Sequence, residues 1–266
     1  MLLFSISVCS QNKIRWTVSA GGALPIGSFS KMEYDSDDLS TDCSLFDKGN
    51  TGGAFAGFNL GLKTNVALID EKLGILFSAD FFYNGINSQS KSYMTEMCNY
   101  LAYYWGQNLG EGEELLSSTC NIDENPFFIN VPILIGLNYN CVLPNEMCLF
   151  GEFGIGANIR HISDWKLTGF QKYIFANRSE DTWMQVKETF SYDNAVTFAF
   201  RIGVGLCFTK HCSLSLKYNY LGKGNVNGNV EATWSAEYVS PNTSNQPVKL
   251  GTITPSLLSI TLEYTF

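Results

Sequence analysis

Charge is scarce in this chain, and positive charge is scarcer. Charged residues make up 16% of 266 positions, and 17 Lys and Arg against 25 Asp and Glu leave a net charge of −8. A nucleic-acid binder shows a basic stripe, so nucleic acid is excluded as a partner. Long apolar runs are missing too. None reaches the roughly 18 residues that a membrane-crossing helix requires, so any crossing must be made by a closed barrel, which pairs its backbone groups internally. Histidine is nearly absent, with only His161 and His211. The pair Cys207 and His211 is too sparse for structural zinc, which takes four ligands, so no metal site is expected. A glycine-rich phosphate loop is lacking as well. Gly49, Gly52 and Gly53, like Gly222, Gly224 and Gly228, fall near strand ends, where turns and bulges account for them. No cofactor is expected.

What is present is alternation. In the last nine residues Leu258, Ile260, Leu262, Tyr264 and Phe266 share one face, while Ser259, Thr261, Glu263 and Thr265 share the other. A period of two is a strand with one apolar and one polar side. Eight such segments run roughly 13–27, 51–68, 73–90, 126–143, 148–167, 192–209, 212–233 and 251–266. Tight hairpins join three pairs of them, around Ile69-Asp70-Glu71-Lys72, Pro144-Asn145-Glu146-Met147 and Lys210-His211. The intervening connections, about 28–50, 91–125, 168–191 and 234–250, are long and polar. Short turns at one end and long loops at the other mark a transmembrane barrel, the short side being periplasmic. The expected fold is therefore all-β: an eight-stranded antiparallel up-and-down transmembrane β-barrel with long extracellular loops and both termini in the periplasm.

Parity assigns the faces. Val196, Phe198, Phe200, Ile202, Val204, Leu206 and Phe208 fall together, opposite Thr197, Ala199, Arg201, Gly203, Gly205 and Cys207. Leu149, Phe153, Ile155, Ala157 and Ile159 likewise oppose Glu152, Gly154, Gly156, Asn158 and Arg160. The charged set belongs in the lumen, because a charge facing lipid at mid-membrane costs roughly 2–4 kcal/mol. A soluble ligand-binding barrel of the lipocalin kind shares the strand number but needs the reverse polarity. Parity places Arg15, Lys63, Asp80, Glu152, Arg160, Arg201, Lys217 and Glu263 inside. Buried charges persist when paired, so a network bridging opposite walls is expected, either as a structural plug or as a narrow gated ion path. A general porin needs 16 or more strands.

The stretches Ile129-Asn130-Val131-Pro132-Ile133-Leu134-Ile135-Gly136, Gly151-Glu152-Phe153-Gly154-Ile155-Gly156, Gly203-Val204-Gly205-Leu206 and Leu214-Ser215-Leu216-Lys217-Tyr218 resemble the small outer-membrane β-barrel domain common in Bacteroidetes, akin to the OmpA and OmpX barrels. The resemblance implies a Gram-negative outer membrane, contact with its lipid and lipopolysaccharide, and a monomer without catalytic residues. The terminal Phe266 resembles the signal that such barrels present to their assembly machinery. Met1–Ser10 reads as the tail of a secretory signal cleaved near Ser10 or Gln11, leaving 11–266 as the barrel domain. Without Cys9, seven of the eight cysteines remain, an odd number for an oxidising compartment.

Three further features are candidates for function. His161-Ile162-Ser163 resembles the His-x-Ser pair of the outer-membrane lipid A deacylases. That family continues with Asn and has an acidic residue about a dozen positions on, where this chain has Asp164 and Phe175. A nucleophilic Ser needs a base and an orienting group, so a plain interfacial His is favoured over catalysis. Cys98 and Cys120 lie within one long loop and are expected to close it. Cys141 with Cys148, and Cys207 with Cys212, flank tight turns and are candidate bridges, and Cys43 is left unassigned. Tyr100, Tyr103, Tyr104 and Trp105 cluster in the second loop beside acidic residues. Tyrosine and tryptophan are common interface anchors, so this loop is expected to carry contacts to an extracellular protein or glycan. A short helix over the barrel mouth accounts for the cluster equally well.

Overall fold

The computed structural model describes residues 14–32, 52–69, 72–107, 113–143, 147–175 and 181–266; the expected signal segment and Cys43 lie outside them. The barrel strands are β1 (Ile14–Pro25), β2 (Ala54–Ile69), β3 (Leu73–Ile86), β5 (Phe128–Val142), β6 (Cys148–Ile162), β9 (Ala195–Cys207), β10 (Cys212–Tyr220) and β13 (Ser256–Thr265). Between them come β4 (Glu113–Glu124), β7 (Trp165–Phe175), β8 (Asp181–Tyr192), β11 (Gly224–Ala236) and β12 (Val239–Ile253), with helix α1 (Ser88–Gln107) after β3.

The eight barrel strands close antiparallel in chain order, and β13 returns to pair with β1. Each expected segment covers one of them, β2 running one residue further, to Ile69. Closure places Val18 opposite Tyr264 and Ala20 opposite Leu262, so the alternating C-terminus completes the wall against the first strand. At the tight-turn end, Phe208 donates its N–H to the Cys212 carbonyl at 3.0 Å, and Leu143 donates to that of Met147 at 2.8 Å.

The other end departs from expectation. Residues 91–125, 168–191 and 234–250 are not simply long loops, for they contain β4 and most of α1, β7, β8 and β12. A second sheet runs in the order β12-β11-β8-β7-β4, which is the order of β13-β10-β9-β6-β5 in the barrel wall. Five neighbouring wall strands continue past short breaks at 254–255, 221–223, 193–194, 163–164 and 125–127. β1, β2 and β3 stop at the rim, and α1 packs on β4 and β7.

At the breaks the polarity of the wall inverts. In the barrel, outward Phe198, Ile202 and Val204 are exposed, Ile202 by 52%, while inward Ala199 and Arg201 are buried. Beyond the breaks the inward residues are apolar and buried, among them Trp165, Leu167, Val186, Phe190, Val226 and Ile253. The outward set there is polar, as with Asn225, Asn227, Asn229 and Glu231. A pattern that looks for apolar residues outside therefore reads β4, β8, β12 and most of β7 as loop, and the expected single segment 212–233 is in fact two strands, β10 and β11, separated at 221–223. The soluble ligand-binding alternative calls for an apolar interior, whereas the barrel lumen is lined by Lys63, Asp80, Glu152, Arg201, Lys217 and Glu263.

The break at 221–223 depends on Gly222, whose φ is +83°. A Cβ there would lie 2.2 Å from the Phe198 carbonyl oxygen and 2.7 Å from the Thr197 Cβ. Left-handed backbone and close approach together demand glycine. Gly222→Ala should therefore lower stability by roughly 1–3 kcal/mol, read as an earlier urea midpoint in micelles; an unchanged midpoint would show that the break is not strained.

Candidate functional site

The lumen of the barrel brings together six of the eight ionisable residues assigned to it. Lys63 Nζ reaches Glu263 Oε2 at 2.8 Å and Glu152 Oε2 at 3.1 Å. Lys217 Nζ lies 2.6 Å from Glu263 Oε1 and 3.7 Å from Glu152 Oε1. Arg201 pairs through Nη2 with Asp80 and lies 3.8 Å from Glu152 through Nη1. The six come from six strands, β2, β3, β6, β9, β10 and β13. Three cations face three carboxylates, so the set is neutral and each carboxylate has a cationic partner. Hydroxyls and an amide complete the shell: Ser215 donates to Glu263 at 2.9 Å, and Arg201 donates to the Asn219 oxygen at 2.8 Å and to Ser78 at 3.2 Å. Glycine makes the room, because a Cβ on Gly203 would meet Glu152 Cγ at 2.9 Å and Lys217 Cγ at 3.1 Å.

Two expected members stand apart. Arg15 keeps its inward parity but sits next to the start of β1, so its side chain is exposed at the tight-turn mouth. There it lines a cavity of about 570 Å³ with Lys72, Lys210 and His211. Arg160 is buried toward the other end, where its Nη2 donates to the Asn225 carbonyl at 2.7 Å. Around that level lies a layer of amides absent from the sequence reading, which searched for charge. Asn158 donates to the Asn130 oxygen at 2.9 Å and to the Leu221 carbonyl at 3.2 Å, and Asn84 donates to the Phe55 carbonyl at 2.9 Å. Inward parity of Asn59, Asn84, Asn130, Asn158 and Asn219 was the available signal.

Above the amides an apolar cap closes the mouth. Phe29 and Phe128 meet edge to face at 5.1 Å, and Tyr93, Met94 and Met97 of α1 join the same buried cluster. Asn87 caps the helix by accepting the Ser90 N–H at 2.9 Å, satisfying a donor that the first turn leaves open. Cys98 on α1 is bonded to Cys120 on β4, with Cα atoms 5.4 Å apart. The pairing suggested by loop length thus fastens the helix to the extension. Tyr103 is 65% exposed on the helix and Tyr100 is half-buried, whereas the Tyr104 and Trp105 side chains lie outside the described residues. The structure accordingly makes this aromatic cluster part of a helix rather than a loop.

His161 Nδ1 is bonded to Asn194 Oδ1 at 2.8 Å, and Ser163 Oγ accepts the Phe127 N–H at 2.8 Å. Neither bond joins the two, so base and nucleophile are not brought together. Among the described residues no group of three or more His, Cys, Asp or Glu could hold a metal. The proposed bridges Cys141–Cys148 and Cys207–Cys212 do not form, and all four thiols are free. Cys141 follows the outward row of Leu137 and Tyr139, whereas Cys148 follows the inward row of Phe150 and Glu152. Cys207 and Cys212 are split in the same way, so each pair points to opposite faces of the wall. Phe266 is exposed at the rim, its N–H donating to the Trp16 carbonyl at 2.9 Å.

No protein-family model and no curated relative matches the sequence. Among solved structures, the chain is similar to Neisserial surface protein A at 9% identity and a TM-score of 0.38, covering 96% of this chain and 97% of that one. It is similar to the outer membrane protein OprG from Pseudomonas aeruginosa at 14% identity and a TM-score of 0.37, covering 95% of each chain. Ail, the attachment invasion locus protein of Yersinia pestis, is similar at 12% identity and a TM-score of 0.35, covering 95% and 98%.

Glu152 touches all three lumen cations, so its loss leaves the most charge uncompensated. Glu152→Gln should destabilise the barrel by roughly 3–5 kcal/mol, the cost of breaking a buried pair, measured by denaturant unfolding in micelles. Adding Lys217→Met to it should restore part of that loss. Simple additivity of the two changes would mean that the network is not coupled.

Proposed function

We propose that the protein is a non-enzymatic outer-membrane β-barrel whose role is structural or one of surface contact, with its second sheet and α1 displayed outside the cell. The observation that carries this reading is the inversion of polarity at the strand breaks. Below them the wall is apolar outside and charged inside, as hydrocarbon requires; above them it is polar outside and apolar inside, as water requires. Aromatic residues gather at both borders of the apolar belt. Phe58 stacks on Tyr83 at 5.4 Å and Tyr83 meets Phe127 at a tilt at 5.2 Å near the breaks, and Tyr264 meets Phe266 at 5.1 Å at the tight-turn rim. Such girdles mark the two interfaces of membrane barrels.

In this reading outer-membrane lipid and lipopolysaccharide surround the belt, the tight turns and Phe266 lie on the periplasmic side where assembly machinery acts, and the chain is a monomer. The exposed helix and extension offer the surface for an extracellular protein or glycan. A structural role is favoured over a narrow gated ion path because an ion would have to cross the charge layer, the amide layer and the apolar cap in turn. The lipid A deacylase alternative is not favoured, since His161 and Ser163 are engaged with different partners. The finer likeness to Bacteroidetes barrels has no family-model match behind it.

Two measurements test the reading. Ile202→Asp should lower the yield of heat-modifiable barrel in phospholipid vesicles, because a charge in hydrocarbon costs roughly 2–4 kcal/mol, while Asn227→Asp on the outer face of β11 should leave it unchanged. Equal yields would show that the belt does not meet lipid. An epitope inserted at the Glu237-Tyr238 turn between β11 and β12 should be detected on intact cells, and one at Lys210-His211 only after permeabilisation; the opposite result would reverse the orientation.

A further inference from the structure

The failed bridges across the tight turns leave a different pair of thiols facing each other. Cys148 and Cys207 stand directly opposite in the antiparallel register of β6 and β9. Each continues an inward row, Cys148 with Phe150 and Glu152, Cys207 with Gly205 and Gly203, so both side chains leave the same face of the wall. Directly opposed residues in an antiparallel pair have Cα atoms about 4.5 or 5.5 Å apart. Both values fall within the roughly 4.4–6.8 Å that a disulfide spans. Neither thiol is sealed from solvent: both are half-buried and line the cavity at the tight-turn mouth with Arg15, Lys72, Lys210 and His211.

We propose that Cys148 and Cys207 form a thiol–disulfide exchange site at the tight-turn mouth, switching between a free dithiol and a cross-strand disulfide. The oxidant is an external disulfide, either a small molecule or a protein. One cysteine thiolate attacks it, forming a mixed disulfide and expelling one thiolate. The second cysteine thiolate attacks the protein-side sulfur, forming the Cys148–Cys207 bond and expelling the other half. Two electrons pass from the protein sulfurs to the external disulfide, and the two thiol protons leave with the two released thiols. The other described cysteines serve as internal controls. Cys98 and Cys120 are already bonded, and Cys141 and Cys212 face outward, where neither opposes another thiol. The chemistry stands whether or not the membrane reading holds.

The full chain, folded in micelles and treated with mild reductant, is titrated with oxidised and reduced glutathione, quenched in acid, alkylated and mapped by peptide mass spectrometry. Alkylation at Cys148 and Cys207 should disappear together as a peptide linking the two appears, and reduced glutathione should reverse it. Alkylation at Cys141 and Cys212 should persist. A Cys141→Ser, Cys212→Ser double variant should give the same cross-link yield, and Cys148→Ser should leave a glutathione adduct on Cys207 with no cross-link. Separate adducts on both thiols of the unmodified chain, a link to any other cysteine, or no reaction would overturn the proposal. So would a Cys148–Cys207 bond that glutathione cannot reopen, which would make it a fixed staple rather than an exchange site.

Discussion

Closure of the hydrogen-bond ladder governs this molecule. Once β13 pairs with β1, no wall strand of the barrel has an open edge, and the interior is as narrow as eight strands make it. Side chains then have two choices only, in or out, and alternate between them. A lumen of that width hydrates charge poorly, so the clustered charges there are paired with one another. Lys63, Lys217 and Arg201 do so against Asp80, Glu152 and Glu263, and because the six reside on six strands their attraction ties opposite walls together. Glycine on the inner face follows from the same confinement, since a long charged side chain on one strand needs a missing one on its neighbour.

The interior is graded along the axis. The paired charges lie toward the tight turns, most of the amides and Arg160 above them, and aromatic and aliphatic side chains at the far mouth, where Phe29, Phe82, Phe128 and Trp165 are buried. That gradient explains why the wall can run on into a second sheet without a separate hydrophobic core. The inner face of the extension merges with the top of the lumen, and α1, fastened through Cys98 and Cys120, covers the side where β1, β2 and β3 end.

Much of the barrel was legible because alternation is a strong local signal. The outward rows of β6 and β9 and the closing strand read correctly from parity, as did the inward placement of the six network residues. What was not legible needed information that a period of two does not hold. The extension reverses the polarity rule, so β4, β7, β8 and β12 resembled polar loops. Arg15 obeys parity, but where β1 begins decides whether an inward residue is inside the lumen or beside its mouth. The asparagine layer carries no formal charge and escaped a search for ionisable groups. The assignments Cys141–Cys148 and Cys207–Cys212 erred by weighing nearness in sequence over facing. Parity alone separates Cys141 from Cys148 and Cys207 from Cys212, while the meeting of Cys148 with Cys207 requires the register of two strands 59 residues apart in the chain.

A sheet that projects from a closed cylinder has two sides where the ladder stops, and each is a template on which a neighbouring chain could continue it. β4 lies at one of them, with α1 packed against it. β12 forms the other and carries Pro241 and Pro247. Proline has no N–H to offer and is tolerated in sheets chiefly at such margins. Where copies of one chain meet side by side, a border short of donors limits how far one chain can be stitched to the next.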